Sequence, residues 1–178
     1  MKIDLHSHSF YSDGVLSPSE VVKLASQAGC ELFSLTDHDT TEGSAEAKLE
    51  ADKLNLSLIN GVEISAFWRN MAIHILGLGI DINNDILQTG LEHNQKLRKE
   101  RAEKIALGLW RSGIKDALEK TQSFSKTDML TRTHFAQMLI SEGYCKDMKA
   151  VFRRYLTGKK PGGVSVVWKS FDEVVHWI

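Results

Sequence analysis

Two histidines stand two residues apart in Asp4-Leu5-His6-Ser7-His8-Ser9, at the end of a short apolar run. In an extended chain residues i and i+2 point to the same face, so both imidazoles can reach one point in space. Neutral imidazole is the commonest metal-binding side chain. The pair taken alone fits a metal site and an idle surface pair equally well. Residues further along the chain separate the two. His38 lies in Thr36-Asp37-His38-Asp39, past a second apolar run, and Glu63 in Gly61-Val62-Glu63-Ile64-Ser65, past a third. His74 falls within a fourth run, 71–76, while Asp13 precedes Gly14 and His134 opens a later helical stretch.

His6, His8, Asp13, His38, Glu63, His74 and His134 are all nitrogen or oxygen donors. With no cysteine among them, the set suits Mn²⁺, Mg²⁺, Zn²⁺ or Fe²⁺ better than a structural zinc. It exceeds what one ion takes from protein while keeping positions open for water. The physical reading is therefore a cluster of two or three ions, with Glu63 as the bridge because a carboxylate has two oxygens to share. Ions spaced ~3.5–4 Å apart promote in-line displacement at phosphorus by binding the phosphate, activating water and stabilising the leaving oxygen. A serine-nucleophile alternative has less support, since no G-x-S-x-G turn occurs.

Alternating strands and helices must position these residues. Residues 2–5 form a short strand. Ser17-Pro18-Ser19-Glu20 marks a helix start, with Ser17 as N-cap, Pro18 in the first turn and Glu20 closing a capping box; Gly29 ends that helix. Residues 32–35 form a second strand, 42–54 a second helix, 56–59 a third strand and 71–76 a fourth. Strands alternating with helices at this spacing predict a parallel α/β sheet. His6, His8, His38 and Glu63 then fall at or just past strand C-termini, the rim where such folds do chemistry. Residues 83–111 read as one long charged helix, with Leu91, Leu97, Ile105 and Leu109 on one side and the Arg98 to Lys104 cluster as a solvated face. Shorter helices are expected over 114–120, 134–142 and 148–156, a strand over 164–168, and a capping box at Ser170 and Glu173. The expected organisation is 1–82 as α/β frame, 83–160 as a helical insertion and 161–178 as a return to the frame.

Bulk properties narrow the setting. The chain has 178 residues, 42% hydrophobic and 25% charged, ordinary globular values. A formal net charge of −1 argues against a generally basic surface, though not against a local one. Two cysteines in unrelated contexts form no disulfide framework and suit a reducing cytoplasm. No signal peptide or membrane-length apolar run is read.

The motifs Asp4-Leu5-His6-Ser7-His8-Ser9, Ser12-Asp13-Gly14, Thr36-Asp37-His38-Asp39, Gly61-Val62-Glu63-Ile64-Ser65 and His74-Ile75-Leu76-Gly77 together resemble those of the PHP (polymerase and histidinol phosphatase) family. Arg132-Thr133-His134-Phe135-Ala136 is similar to the Arg-Pro-His-Phe-Ala motif of one branch, with Thr133 in place of the proline. The resemblance implies the N-terminal part of a distorted (β/α)7 barrel and a trinuclear site, often manganese. It implies one ion on His6, His8 and Glu63, a second on Asp13 and His38, and a third on Glu63, His74 and His134. Arg132 would grip the substrate phosphate as a bidentate donor. The branch hydrolyses nucleoside 5′-monophosphates and 3′,5′-bisphosphates and the 5′ ends of short RNAs, so a nucleotide or short RNA substrate is expected, with no duplex DNA and no membrane. The family pattern continues with a further strand-end His and an Asp-x-His pair. The chain is therefore read as truncated, with weakened metal binding expected. The rival activities are a histidinol-phosphate-type phosphatase and a catalytically silent module of the same fold. His93 and His176 are given no role. The aromatics of Phe10-Tyr11 and Phe67-Trp68 are read as base-stacking or packing residues.

Overall fold

The computed structural model describes all 178 residues. The chain folds as two compact units, Met1–Gln95 with Val167–Ile178, and Lys96–Val166.

The first unit opens with β1 (Ile3–Asp4), α1 (Pro18–Gln27), β2 (Leu32–Phe33), α2 (Ser44–Lys53) and β3 (Ser57–Leu58). The three strands form a parallel sheet in the order β1-β2-β3, with Ile3 opposite Leu32 and Leu32 opposite Ser57. Helix α1 starts where local chemistry dictates: Ser17 accepts from the Glu20 amide at 3.2 Å and the Glu20 carboxylate accepts from the Ser17 amide at 2.8 Å. Val22 and Ala25 of α1, Ala47 and Ala51 of α2, and Phe33 and Leu35 around β2 form one core cluster.

The fourth expected strand departs from the parallel reading. Gly61–Trp68 is a strand in its own right (β4), and it turns back into Met71–Leu78 (β5) as an antiparallel hairpin. Arg69 and Asn70 both have positive φ, 46° and 64°, the left-handed pair that a two-residue hairpin turn needs to match strand twist. Glu63 thus lies inside β4 rather than just past the exit of β3. Val62, Ile64 and Ala66 face a second core cluster with Leu87, Leu91 and Val174.

Helix α3 (Asp85–Arg111) begins in the first unit and continues into the second. Asn84 caps it, accepting from the amides of Ile86 and Leu87 at 2.9 and 3.1 Å. In the second unit come α4 (Ala117–Gln122), α5 (Arg132–Ser141) and α6 (Met148–Val151), which runs on as a π-helical turn, Phe152–Leu156. Their core joins Ile105 and Leu109 of α3 to Phe135, Met138 and Leu139 of α5 and to Val151 and Leu156. Residues 164–168 form no strand. Past them, Ser170 makes an isolated parallel bridge to Phe67. Ser170 and Glu173 form a capping box at the head of α7 (Phe171–Trp177). No helix is long and apolar enough to cross a membrane.

Candidate metal centre

Strand alternation gives Glu63 its position. Its neighbours Val62 and Ile64 are fully buried in the core, and Glu63 turns to the opposite face of β4 with only 7% of its side chain exposed. The hairpin register pairs Ser65 with His74 and Glu63 with Leu76, so His74 reaches Glu63 diagonally across the ladder. His74 Nδ1 lies 2.7 Å from Glu63 Oε1. The other carboxylate oxygen, Oε2, gathers three more rings: His6 Nε2 at 2.9 Å, His8 Nε2 at 3.1 Å and His38 Nδ1 at 3.4 Å. Asp13 closes the far side, 3.6 Å from His8 Nδ1 and 3.8 Å from His38 Nε2. The centroid separations are 5.1 Å for His6–His8, 4.7 Å for His8–His38 and 4.7 Å for His38–His74. Half of the His6 side chain and 44% of that of His74 are exposed, so the site is open above and floored by Glu63.

Two buried aspartates flanking His38 hold this arrangement and point to opposite walls. Asp37 accepts from the Ser9 amide at 2.7 Å, the Ser9 hydroxyl at 2.6 Å and the Ser12 hydroxyl at 2.6 Å. The Ser12 hydroxyl also lies 3.3 Å from His8 Nδ1, so Asp37 sets the loop beside His8. Asp39 accepts from the amide and hydroxyl of Ser65, both at 2.8 Å, and from Asn94 Nδ2 at 2.8 Å. Its backbone carbonyl accepts from Gln95 Nε2 at 2.9 Å. Gly14 allows the loop to close: a Cβ there would strike the His8 carbonyl oxygen and lie 2.8 Å from its carbon.

These contacts set the electrostatics. Burial opposes charge on Glu63, but hydrogen bonds with His74 and His8 and the field of His38 outweigh it and hold the carboxyl well below the usual range. Burial acts to lower the His8 value, yet the hydrogen bond with Glu63 and the charge of Asp13 prevail and raise it. Burial raises the Asp37 value against the pull of its serine partners.

The donor chemistry fits divalent cations. Three donor sets each have their ligand atoms within 4.8 Å of one another: His6, His8 and Glu63; His8, Asp13 and His38; His38, Glu63 and His74. Four protonated imidazoles at these ring spacings would repel one another. Four neutral ones that donate N–H to one carboxylate crowd its two oxygens, with three rings on Oε2 alone. A cation between them relieves both conflicts, and Glu63, in two of the sets, is placed to bridge.

Of the residues singled out in the sequence, His6, His8, Asp13, His38, Glu63 and His74 come together in the first unit. His134 and Arg132 belong to the second, on the opening turn of α5. His134 is buried, and its Nδ1 accepts from the Thr131 amide at 3.2 Å, completing a capping box. Arg132 Nη2 donates to the Val164 carbonyl at 2.5 Å, while its Nε is buried with no hydrogen-bond partner. Burial and the nearby charge of Arg98 both lower the Arg132 value. The solvated-face reading of the Arg98 to Lys104 cluster is corrected in part: Arg98 and Arg101 are 3% and 6% exposed. Asp37, Asp39, Ser65 and Asn94 support the site without having been singled out by sequence. The signal for part of them is polar residues on an apolar stripe: Asn94, Arg98 and Arg101 continue the helical row begun by Leu87 and Leu91.

An α/β frame that gathers histidines and a bridging carboxylate on an open rim defines a class of metal-site proteins. The family model for the PHP domain matches residues 4–164, and the chain belongs to that family. It is 43% identical over 177 residues to a 3′,5′-nucleoside bisphosphate phosphatase of Chromobacterium violaceum, covering 99% of this chain and 62% of that protein. It is 39% identical over 177 residues to the 5′-3′ exoribonuclease Rnm of Escherichia coli, covering 98% of this chain and 60% of that protein. A solved structure of an amidohydrolase from Chromobacterium violaceum, with bound sulfate and no metal, superposes with a TM-score of 0.96 at 42% identity, covering 100% of this chain and 63% of that one. A structure from Bifidobacterium adolescentis shares the fold, with a TM-score of 0.91 at 23% identity over 99% of this chain and 63% of that one. The chain thus spans about 60% of the length of the relatives it matches.

Proposed function

We propose that the protein is a metal-dependent phosphoesterase that removes terminal phosphate from nucleotides, 5′-monophosphates or 3′,5′-bisphosphates, and trims the 5′ ends of short RNA. The observation that carries this reading is one carboxylate, Glu63, met by four imidazoles between 2.7 and 3.4 Å. The names borne by the relatives from Chromobacterium violaceum and Escherichia coli supply the substrate class.

Six first-unit side chains, His6, His8, Asp13, His38, Glu63 and His74, would hold two or three divalent ions, with Mn²⁺ proposed. The family resemblance adds His134 to the set. When bound, such ions supply Lewis acidity toward the phosphoryl oxygens and activate water. The chain itself supplies the rest. Glu63 fixes the spacing of the imidazoles. Ser12 beside His8 Nδ1 keeps that ring turned with Nε2 toward Glu63. Arg132 is assigned to the substrate phosphate, whose oxygens a planar guanidinium can grip in pairs. The frame is proposed to be part of a distorted (β/α)7 barrel, residues 1–82 and 161–178, with 83–160 as a helical insertion. A cytoplasmic setting accords with two free cysteines, Cys30 and Cys145.

The test is phosphate release from a nucleoside 3′,5′-bisphosphate with Mn²⁺, repeated with Glu63→Ala. The reading predicts release by the native protein and loss of at least about a thousandfold in the variant. Wild-type turnover in the variant would sink it.

A further inference from the structure

Charge is divided between the two units in a way the net value conceals. Lys96–Val166 holds sixteen Lys and Arg against seven Asp and Glu, a formal +9, while the rest of the chain holds six against sixteen, −10. The two together return the chain's −1. Within the basic unit the excess peaks between 146 and 160, where Lys146, Lys149, Arg153, Arg154, Lys159 and Lys160 face one acid, Asp147, which is occupied in capping α6. All six cations are exposed. The lysine ion pairs of the chain are made elsewhere, by Lys23, Lys48, Lys53, Lys120 and Lys169.

Backbone contacts draw the two parts of this patch together. Lys149 and Arg153 lie four residues apart, on the run from α6 into the π-helical turn. The loop carrying Lys159 and Lys160 folds back on that turn: the Gly162 amide donates to the Tyr155 carbonyl at 2.7 Å, and Thr157 Oγ1 to the Phe152 carbonyl at 2.8 Å. Gly108 of α3 seats the loop, since a Cβ there would collide with the Pro161 carbonyl. Aromatic surface is interleaved with the charge. Tyr144 and Tyr155 meet edge to face at 6.4 Å, both half-buried, and the Arg154 guanidinium stands 5.6 Å from the Tyr155 ring.

We propose that this face, centred on Lys149, Arg153, Lys159 and Lys160, docks the sugar-phosphate backbone of a single-stranded nucleic acid. Clustered unpaired cations neutralise successive phosphates and release counterions. Tyrosine faces beside them stack bases without regard to sequence. The acidic first unit cannot supply this attraction, so the charge division assigns it to the second. The inference rests on the phosphoesterase reading for its relevance to turnover, but the binding it predicts needs no turnover.

The test is fluorescence anisotropy of labelled twelve-residue oligouridylate and oligothymidylate, in EDTA so that nothing is cleaved, across a range of salt. The variant is Lys149→Gln/Arg153→Gln/Lys159→Gln/Lys160→Gln, and Lys23→Gln/Lys48→Gln/Lys53→Gln in the acidic unit is the control. Four lost phosphate contacts should flatten the slope of log K against log salt by about 3 and weaken binding at least about tenfold at low salt. The control should match the native protein. Comparable binding of both oligomers supports backbone recognition, and preference for the uridylate supports RNA through its 2′-hydroxyls. Native affinity in the fourfold variant, equal loss in the control, or binding of anionic vesicles in place of either oligomer would overturn the proposal. Bisphosphate hydrolysis with Mn²⁺ separates it from the reading beneath: the variant should keep kcat/KM for a mononucleotide within about twofold, since its cations lie outside the proposed metal set. Oligomer binding that is lost in the variant, in a protein that hydrolyses nothing, would remove the phosphoesterase reading and leave the docking surface standing.

Discussion

His38 and Glu63 stand side by side in a single parallel β-bridge. The Glu63 amide donates to the Asp37 carbonyl at 3.1 Å, and the Asp39 amide donates to the Glu63 carbonyl at 2.9 Å. That one bridge fastens the chain leaving the parallel sheet to the antiparallel hairpin, and it does so between two residues of the candidate centre. The backbone thereby sets the distance between an imidazole and the carboxylate it shares with three others. Both residues next to His38 are buried aspartates whose side chains secure opposite walls, so the short run 37–39 organises the whole cluster.

Asp39→Ala should therefore be severe. It strands three donors, the Ser65 amide, the Ser65 hydroxyl and Asn94 Nδ2, in a buried place. It also puts a residue with no polar side chain at a φ of 52°. An unfolding loss of about 3 kcal/mol or more is expected by denaturant titration. A loss below about 1 kcal/mol would show that the clamp is not needed.

Gly14→Ala tests the loop beside His8. The added methyl must displace backbone at His8 and Ser9, whose carbonyl carbon it would approach to 2.9 Å. Metal affinity by calorimetry should fall at least about tenfold, because residues that orient ligands carry that much. Unchanged affinity would place the loop outside the centre.

The metal-free protein should lose stability as pH rises past about 6.5. His8 has a value raised above its ordinary 6.5, so it binds its proton more tightly folded than unfolded. That stabilisation is full below about 6.5 and disappears as pH climbs through the raised folded value. Divalent metal requires the neutral ring, so metal-loaded protein should show the reverse trend over the same window. Thermal melts from about pH 5.5 to 9, with EDTA and with Mn²⁺, read both slopes; parallel curves would contradict the assignment.

On the proposed phosphoesterase function, Arg132→Lys should fold and yet bind nucleotide poorly. Lysine keeps the charge but loses the planar fork that pairs with phosphate oxygens. We expect KM to rise at least about tenfold, and a KM equal to that of the native protein would remove Arg132 from the substrate site.

Much of the fold and site is legible in the sequence because it rests on short-range rules. The i, i+2 spacing of His6 and His8, the Ser17–Glu20 and Ser170–Glu173 capping boxes and the α/β class each come from a few neighbouring residues. The hairpin escapes such a reading because Gly61–Ser65 lies close enough to β3 to pass for its exit, and the left-handed Arg69-Asn70 turn carries no glycine to announce it. Arg98 and Arg101 look solvated because charge is the default sign of a surface face, and only their register with Leu87 and Leu91 says otherwise. The side-chain partnerships of Asp37 and Asp39 span between 25 and 55 residues, beyond the reach of any local pattern.

Metal stoichiometry separates a multi-ion cluster on Glu63 from an idle group of histidines. Titrating the metal-free protein with Mn²⁺ by calorimetry should show more than one ion bound per chain. Glu63→Gln keeps the shape of the side chain and removes the shared carboxylate charge, and it should bind fewer than one. Binding in Glu63→Gln with the stoichiometry and affinity of the native protein would contradict a cluster built on that carboxylate.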